Sequence, residues 1–512
     1  MRRFLALAAL AGAVLASTAG AAEKVGTPRA DVIRGTARAD YIDPRAGRDR
    51  VSAGRGDDRI KAQDRFIDTI GCGPGWDLVT ADLGDRVDRA CEVVTRQLSR
   101  DQYRNAESQH ATEVEPDSYA FGSTIVAIFQ VGRIRDGAAA NNGFATSRDA
   151  GRTWRTGLLP SLTPNSSPAG EWDRVSDPVI GYDAVHGVWL ASSLAVSPGR
   201  ESALVFNRST DGLTWGAPIV ATRSISRDLE LDKQWFACDN WPSSPFRGRC
   251  YLAYSDFRTN RISIQTSADG GLTWSRPVSA PDSAGRNAMR EGSPGVQPVV
   301  RPNGDALVLF WDGDQMSSIR STDGGASFSR TNLVGRVEAP VGLNFRAFAL
   351  PVAEVDAAGT VYLAWSDCQL HTDCTGTDLM LSRSADGLQW SAPARIPTGP
   401  AREGAHDVVP GLAADPERPG RLALAWYRLQ SNGGIDAFFV RSANGGSTWT
   451  RPRRLSTETM TREWIAQTTL GPMLGDYIST SFASGTPVAV VALASRPGGG
   501  RLDEAIYAAR LP

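Results

Sequence analysis

Histidine is scarce in this sequence, and the signatures of several large enzyme classes are missing. Its four histidines (His110, His186, His371 and His406) show no ligand spacing, which argues against a zinc centre. There is no Gly-x-Ser-x-Gly elbow, no Gly-Lys-Ser/Thr phosphate loop and no His-Glu-x-x-His pair. Charge of one sign is lacking too. The 55 Lys and Arg nearly cancel the 56 Asp and Glu, so neither a polyanion-binding surface nor a disordered acidic tail is expected, and nucleic acid is not a partner. Long apolar runs are confined to Phe4–Ala16, which follows Arg2 and Arg3 and precedes Ala19-Gly20-Ala21. That order reads as a signal peptide (1–22) cut near Ala21 or Ala22. A spanning helix needs about 20 apolar residues, so no membrane span is expected after cleavage.

What is present divides into two repeats, and 512 residues accommodate two domains. Six cysteines lie as three local couples, Cys72 with Cys91, Cys238 with Cys250 and Cys368 with Cys374. Six allow 15 pairings. Local pairing is the simplest for an exported protein, with free thiols the alternative.

Between residues 26 and 92 an Asp followed two positions later by an aliphatic residue recurs at Asp31, Asp40, Asp49, Asp58, Asp68, Asp77 and Asp85. A nine-residue period is too short for a helix pair and fits one turn plus one short strand of a parallel β-roll. Glycines before the aspartates, as in Gly54-Arg55-Gly56-Asp57-Asp58, let the chain turn sharply enough to aim carbonyls at a cation. Calcium, which takes six to eight oxygens, suits that geometry. The segment resembles the hemolysin-type (RTX) calcium-binding repeat. The resemblance implies calcium as cofactor, ligated by Asp31, Asp40, Asp49, Asp58, Asp68 and Asp77, with Asp31/Asp49 and Asp40/Asp58 as couples on alternate coils. Only two segments carry the full Gly-x-Gly-x-Asp form and arginines interleave, so an ion-free roll closed by Cys72 and Cys91 is the alternative.

From residue 110 onward six segments share a Ser-x-Asp turn closed by an aromatic residue. They begin at Ser147, Ser209, Ser267, Ser321, Ser384 and Ser442, the last with Asn444 in the Asp position. The carboxylate can accept turn N–H groups, the hydroxyl adds a bond, Gly takes positive φ and the ring buries between layers, so each turn is a folding device. Apolar β-rich runs recur seven times, from Thr124–Phe129 to Pro487–Leu493. The fold class expected is therefore all-β, a seven-bladed propeller (six-bladed as the alternative) over 110–512, preceded by the small roll and a linker at 93–109. The seventh module lacks an outer strand, which is expected from residues 108–114.

Ionisable residues crowd the loops opposite the Ser-x-Asp turns. Where inner strands begin there are Glu171, Asp173, Asp177, Glu230, Asp232, Lys233, Glu291, Arg346, Glu403, His406, Asp407, Asp476 and Tyr477. After the middle strands come Arg133, Asp256, Arg258, Asp312, Asp314, Asp367, Tyr427 and Arg428. Polar loops on rigid strands around a pit are a common site design, and mutual pairing that merely caps the channel is the competing reading for each residue. The repeated turns, with Asp232-Lys233-Gln-Trp235 and Gly475-Asp476-Tyr477, resemble the Asp-box (BNR repeat) sialidase superfamily. That resemblance implies an exo-acting hydrolase of sialic-acid-like sugars. Arg133, Arg258 and Arg346 would grip an anion, Tyr477 or Tyr427 would be the nucleophile and Asp177 the acid. Gly132-Arg133-Ile134-Arg135 lacks the proline of that family's Arg-Ile-Pro segment, and sialidases have six blades. A non-catalytic propeller binding a glycan, a glycoconjugate or a surface protein is the second reading. Either is expected to be secreted and monomeric.

Overall fold

Each nine-residue coil supplies one short strand, and successive strands fall alternately on two faces. The computed structural model describes residues 22–228, 230–286, 289, 294–340, 342–399 and 404–512. All of the expected signal peptide but its last residue, together with Glu291 and Glu403, lies outside the described residues. On one face Glu23–Val25, Tyr41–Asp43, Arg59–Lys61, Leu78–Ala81 and Val93–Gln97 stack in parallel. On the other, Val32–Arg34, Arg50–Ser52, Thr69–Gly71 and Arg86–Val87 do the same. Their central residues Ile42, Val51, Ile60, Ile70 and Val79 are buried between the faces, and Cys72–Cys91 ties the last coils. Close coil packing explains the glycines: at Gly54 (φ +111) a Cβ would lie 2.0 Å from the Thr36 carbonyl oxygen of the coil below.

Beyond the roll, antiparallel meanders radiate from an axis. The innermost strands are Glu113–Phe121, Arg174–Asp183, Leu231–Cys238, Val296–Val300, Val352–Val355, His406–Ala414 and Ser479–Ala483. Each lies beside the next, and the last returns to the first, so the ring has seven blades. Two blades carry the remaining disulfides, Cys238–Cys250 and Cys368–Cys374.

The outer strand of blade 7 is Val93–Gln97 and does not come from 108–114. It pairs antiparallel with Glu504–Arg510 while pairing parallel with Leu78–Ala81 of the roll. The expected linker at 93–109 is thus structural at its start, and one eight-stranded sheet runs from the roll into the ring. Residues 108–112 make only isolated bridges, Ser108 to Ile134 and Thr112 to Glu504, because the chain there is already turning into blade 1. Further contacts fasten the roll. Lys61 pairs with Glu458 at 2.6 Å, Gln63 donates to Ser495 at 2.8 Å, and Arg453 stacks on Trp76.

The Ser-x-Asp turns all follow third strands on what we term the lower face, leading into a fourth strand except in blade 3, where the segment after the turn pairs only at an Ile264–Val278 bridge. In the first, the Asp149 carboxylate accepts the Thr153 N–H at 2.8 Å while the Ser147 hydroxyl accepts the Gly151 N–H at 2.9 Å. Asn444 performs the same task, its amide oxygen accepting from Thr448 N–H. Each turn also bears on the preceding blade. A Cβ at Gly325 (φ +86) of blade 4 would meet Thr266 of blade 3 at 2.6 Å.

Candidate functional site

Four inner strands break their ladders at one depth below the upper face, where these strands begin. Register shifts fall at Val114/Asp117, Ser176/Val179, Asp232/Trp235 and Val408/Gly411. The bulged residues Glu115, Asp177, Lys233 and Val409 all have positive φ, between 45° and 54°. Such a bulge re-aims a side chain. A proline follows three of them (Pro116, Pro178 and Pro410), and a residue with no N–H leaves no donor orphaned where the ladder is interrupted.

Three of these bulges are charged, and they meet Arg133, Arg346 and Asp476 in one buried cluster. Arg346 grips Asp476 with two bonds, Nε to Oδ1 at 2.7 Å and Nη2 to Oδ2 at 2.5 Å, and Lys233 Nζ reaches Oδ2 at 2.5 Å. Burial works to raise the Asp476 carboxyl, but Arg346 and Lys233 outweigh it and hold it well below the usual range. Burial, then the Asp476 charge, pushes Glu115 up to about 7. Glu115 accepts from the Gln130 amide, whose oxygen in turn takes Arg133 Nη1 at 3.0 Å.

Above this cluster lies a cavity of about 380 Å³, lined among others by Arg133, Asp177, Asp232, Lys233 and Arg346. Below it a channel of similar volume runs down the axis past Asp117 and Tyr477. Asp177 and Lys233 line both spaces, so the cluster closes the channel from above. Asp177 and Asp232 are joined by one donor. The Lys233 backbone N–H gives to Asp232 Oδ1 at 2.9 Å and to Asp177 Oδ2 at 3.2 Å, which brings the two carboxyls close together at the cavity wall. Ser176 adds a bond to Asp177 Oδ1 at 2.8 Å.

Of the residues singled out in the sequence, Arg133, Asp177, Asp232, Lys233, Arg346, Asp476 and Tyr477 converge here. Tyr477 faces the channel and is occupied: its hydroxyl donates to the Pro178 carbonyl at 3.0 Å, its ring stands edge-on to Trp235, and burial holds the phenol well above its ordinary range. Tyr427 bridges blades 6 and 7 through Ala492. Arg258 lies outside the cavity lining and makes a two-bond pair with Asp256, both at 2.8 Å. The third cation in the cluster is therefore Lys233. Other ring residues pair locally, Arg428 with Asp407 and Arg336 with Asp314. Glu115 was not singled out from the sequence. The signal for it is the acidic-Pro dipeptide that recurs in neighbouring inner strands as Glu115-Pro116 and Asp177-Pro178.

The roll carries a second constellation. The N–H of Asp31 gives to Asp49 Oδ1 and that of Asp40 to Asp58 Oδ1, both at 2.7 Å, so the expected couples are adjacent. The pattern continues from Asp49 to Asp68 and from Asp58 to Asp77. Oδ2 of Asp49, Asp58, Asp68 and Asp77 is buried and has no partner. Burial first, and neighbouring carboxylates after it, push Asp58 and Asp77 up to about 6 and Asp68 to about 7. Among the described residues no arginine of the roll makes an ion pair with these four carboxylates. Rows of buried, unpaired hard oxygens fit a cation such as calcium. Asp64 joins Asp49 and Asp68, their ligand atoms all lying within 4.8 Å of one another. It sits in the longer coil between Asp58 and Asp68.

Residues 25–60 match the model of the RTX calcium-binding nonapeptide repeat, in four copies, and the roll is a calcium-binding repeat of that type. The chain is similar to a xyloglucanase of a Paenibacillus species, 29% identical over 211 residues, covering 36% of this chain. It spans only 18% of that protein's length. It is also similar to the solved structure of a leech intramolecular trans-sialidase (12% identity, TM-score 0.44, covering 69% of this chain and 68% of that one). The GH93 α-L-arabinofuranosidase of Fusarium graminearum is similar at 14% identity and TM-score 0.44, covering 81% and 97%. The propeller architecture itself stands on the strand pairing described above. Among the described residues no helix is long and apolar enough to cross a membrane.

Proposed function

We propose that this chain is an exported glycoside hydrolase that works at the upper cavity, carried with a calcium-dependent roll. The observation that supports this most is the Asp177/Asp232 couple. Glycosidic hydrolysis uses two carboxyls, one protonating the leaving oxygen while the other meets the developing positive charge, and these two share one backbone N–H at a single cavity wall. Arg133, Lys233 and Arg346 line the same cavity as hydrogen-bond donors for sugar oxygens. Asp476 already neutralises Lys233 and Arg346, so a sialic-acid carboxylate meets a weaker anion grip than three free arginines would give. Calcium, when bound, supplies cross-links between coils and takes no part in the hydrolysis. The disulfides and the RTX repeat fit an oxidising, extracellular setting.

The test is a panel of aryl sialosides, arabinosides and xyloglucan oligosaccharides assayed in millimolar calcium. Asp232→Asn should lower kcat by about 10²-fold or more on any substrate turned over, with melting temperature unchanged. A folded, calcium-loaded protein inert towards the whole panel would refute the reading.

A non-catalytic glycan- or protein-binding propeller is the second reading, favoured by the saturation of Lys233 and Arg346 by Asp476. Its signature is saturable binding without turnover.

A further inference from the structure

Off the propeller axis, a cleft of about 970 Å³ opens where the roll, the 97–113 segment and blade 7 meet. Its polar floor holds two acids on neighbouring strands, Glu113 at the start of blade 1 and Glu504 at the start of the third strand of blade 7. Both side chains are buried to within about one per cent of their surface. One oxygen of each is accounted for, Glu113 Oε2 by the Ser99 hydroxyl and Glu504 Oε2 by the Ala466 N–H, both at 2.8 Å. The other oxygen of each, Oε1, is buried without a partner. Unpaired buried polar atoms cost free energy, and two of them side by side in a roomy polar cleft point to a ligand. Burial pushes Glu113 up to about 8 and Glu504 well above its ordinary value.

The rim has the opposite character. Arg100, Arg104 and Arg501 are exposed along it. Asp503 acts on Arg501, whereas Arg100 and Arg104 have no side-chain hydrogen bond or ion pair among the described residues. Guanidinium groups match the planar, forked geometry of carboxylate and sulfate. The volume is that of an organic ligand and far exceeds what a single inorganic anion fills.

We propose that this cleft is a second carbohydrate site that takes an acidic oligosaccharide, with its carboxylate or sulfate groups on Arg100, Arg104 and Arg501 and its hydroxyls on Glu113 and Glu504. The site is separate from the upper cavity and does not rest on hydrolysis there.

The experiment is isothermal titration of the full calcium-loaded chain with a galacturonate trimer, a sulfated dextran fragment and the same fragment unsulfated. Binding of either acidic probe is expected, and the probe that binds tells carboxylate from sulfate. The triple variant Arg100→Ala, Arg104→Ala, Arg501→Ala should weaken it at least tenfold. A control that loses the same charge elsewhere, Arg155→Ala, Arg276→Ala, Arg330→Ala, should bind like the parent, as should Asp232→Asn. The proposal is overturned if neither acidic probe binds, if the neutral fragment binds as tightly, if the rim variant binds like the parent, or if the control loses as much.

Discussion

Chelating calcium should loosen the ring as well as the roll, because Val93–Gln97 is at once the last strand of the roll and the outer strand of blade 7. The magnitude depends on whether the two unfold together. A calcium at 100 times its dissociation constant adds about 2.7 kcal/mol per site. At about 2.1 cal/mol/K per residue, a roll of roughly 70 residues unfolding alone has an entropy near 0.15 kcal/mol/K, so one site shifts its own midpoint by about 18 °C. If roll and ring melt as one unit of roughly 480 residues, the entropy is about 1 kcal/mol/K and the shift is about 3 °C per site, seen by every probe. Tryptophan fluorescence separates the cases, since 13 of the 14 tryptophans follow residue 150 and only Trp76 lies in the roll. The structure predicts that the tryptophan transition itself moves by a few degrees for each ion bound. An unmoved tryptophan transition, with a separate far-ultraviolet step travelling by tens of degrees, would refute the coupling.

Three further outcomes concern the blades. Gly325→Ala combines a left-handed backbone with a clash against Thr266, and should cost about 2–4 kcal/mol. Gly122→Ala, also at positive φ but with nothing within 4 Å, should cost only about 1–2 kcal/mol, and chemical denaturation measures the difference. Burial raises the Asp117 carboxyl to about 7, well above the ordinary carboxylate range. A raised carboxyl gives stability that is fully present below pH 4 and is lost as pH climbs through 7, so Asp117→Asn should flatten that part of the stability profile. The turn carboxylates behave oppositely. Hydrogen bonds, from Thr214 first in one case and Ser327 in the other, lower Asp211 and Asp323 to about 2, so their contribution survives above pH 4 and fades as pH falls towards 2.

The architecture was legible where a physical period left its mark. A nine-residue step with one aliphatic residue per coil can only stack, and Ile42, Ile60 and Val79 do so. Ser-x-Asp turns needed only local bonds, so reading six of them located six blades. What could not be read was long-range. Nothing in Val93–Gln97 announces that its two edges serve different partners, and the strand was passed over as linker. Most of the site was legible. Arg133, Asp177 and Arg346 stood out as charges in inner-strand and loop positions, but Glu115 was hidden in a strand whose alternation a bulge interrupts. Arg258 shows the converse error source: Asp256, two residues away, already satisfies it, a pairing that sequence proximity made visible only in hindsight.

A sugar processed at the upper cavity sits between the Asp177/Asp232 couple and Arg133, Lys233 and Arg346. The most direct measurement is a crystal structure of Asp232→Asn soaked with the best substrate of the panel. Sugar density is expected in contact with Asp177 and Lys233 on the upper face. Density confined to the lower end of the channel, with the upper cavity holding only water, would contradict it.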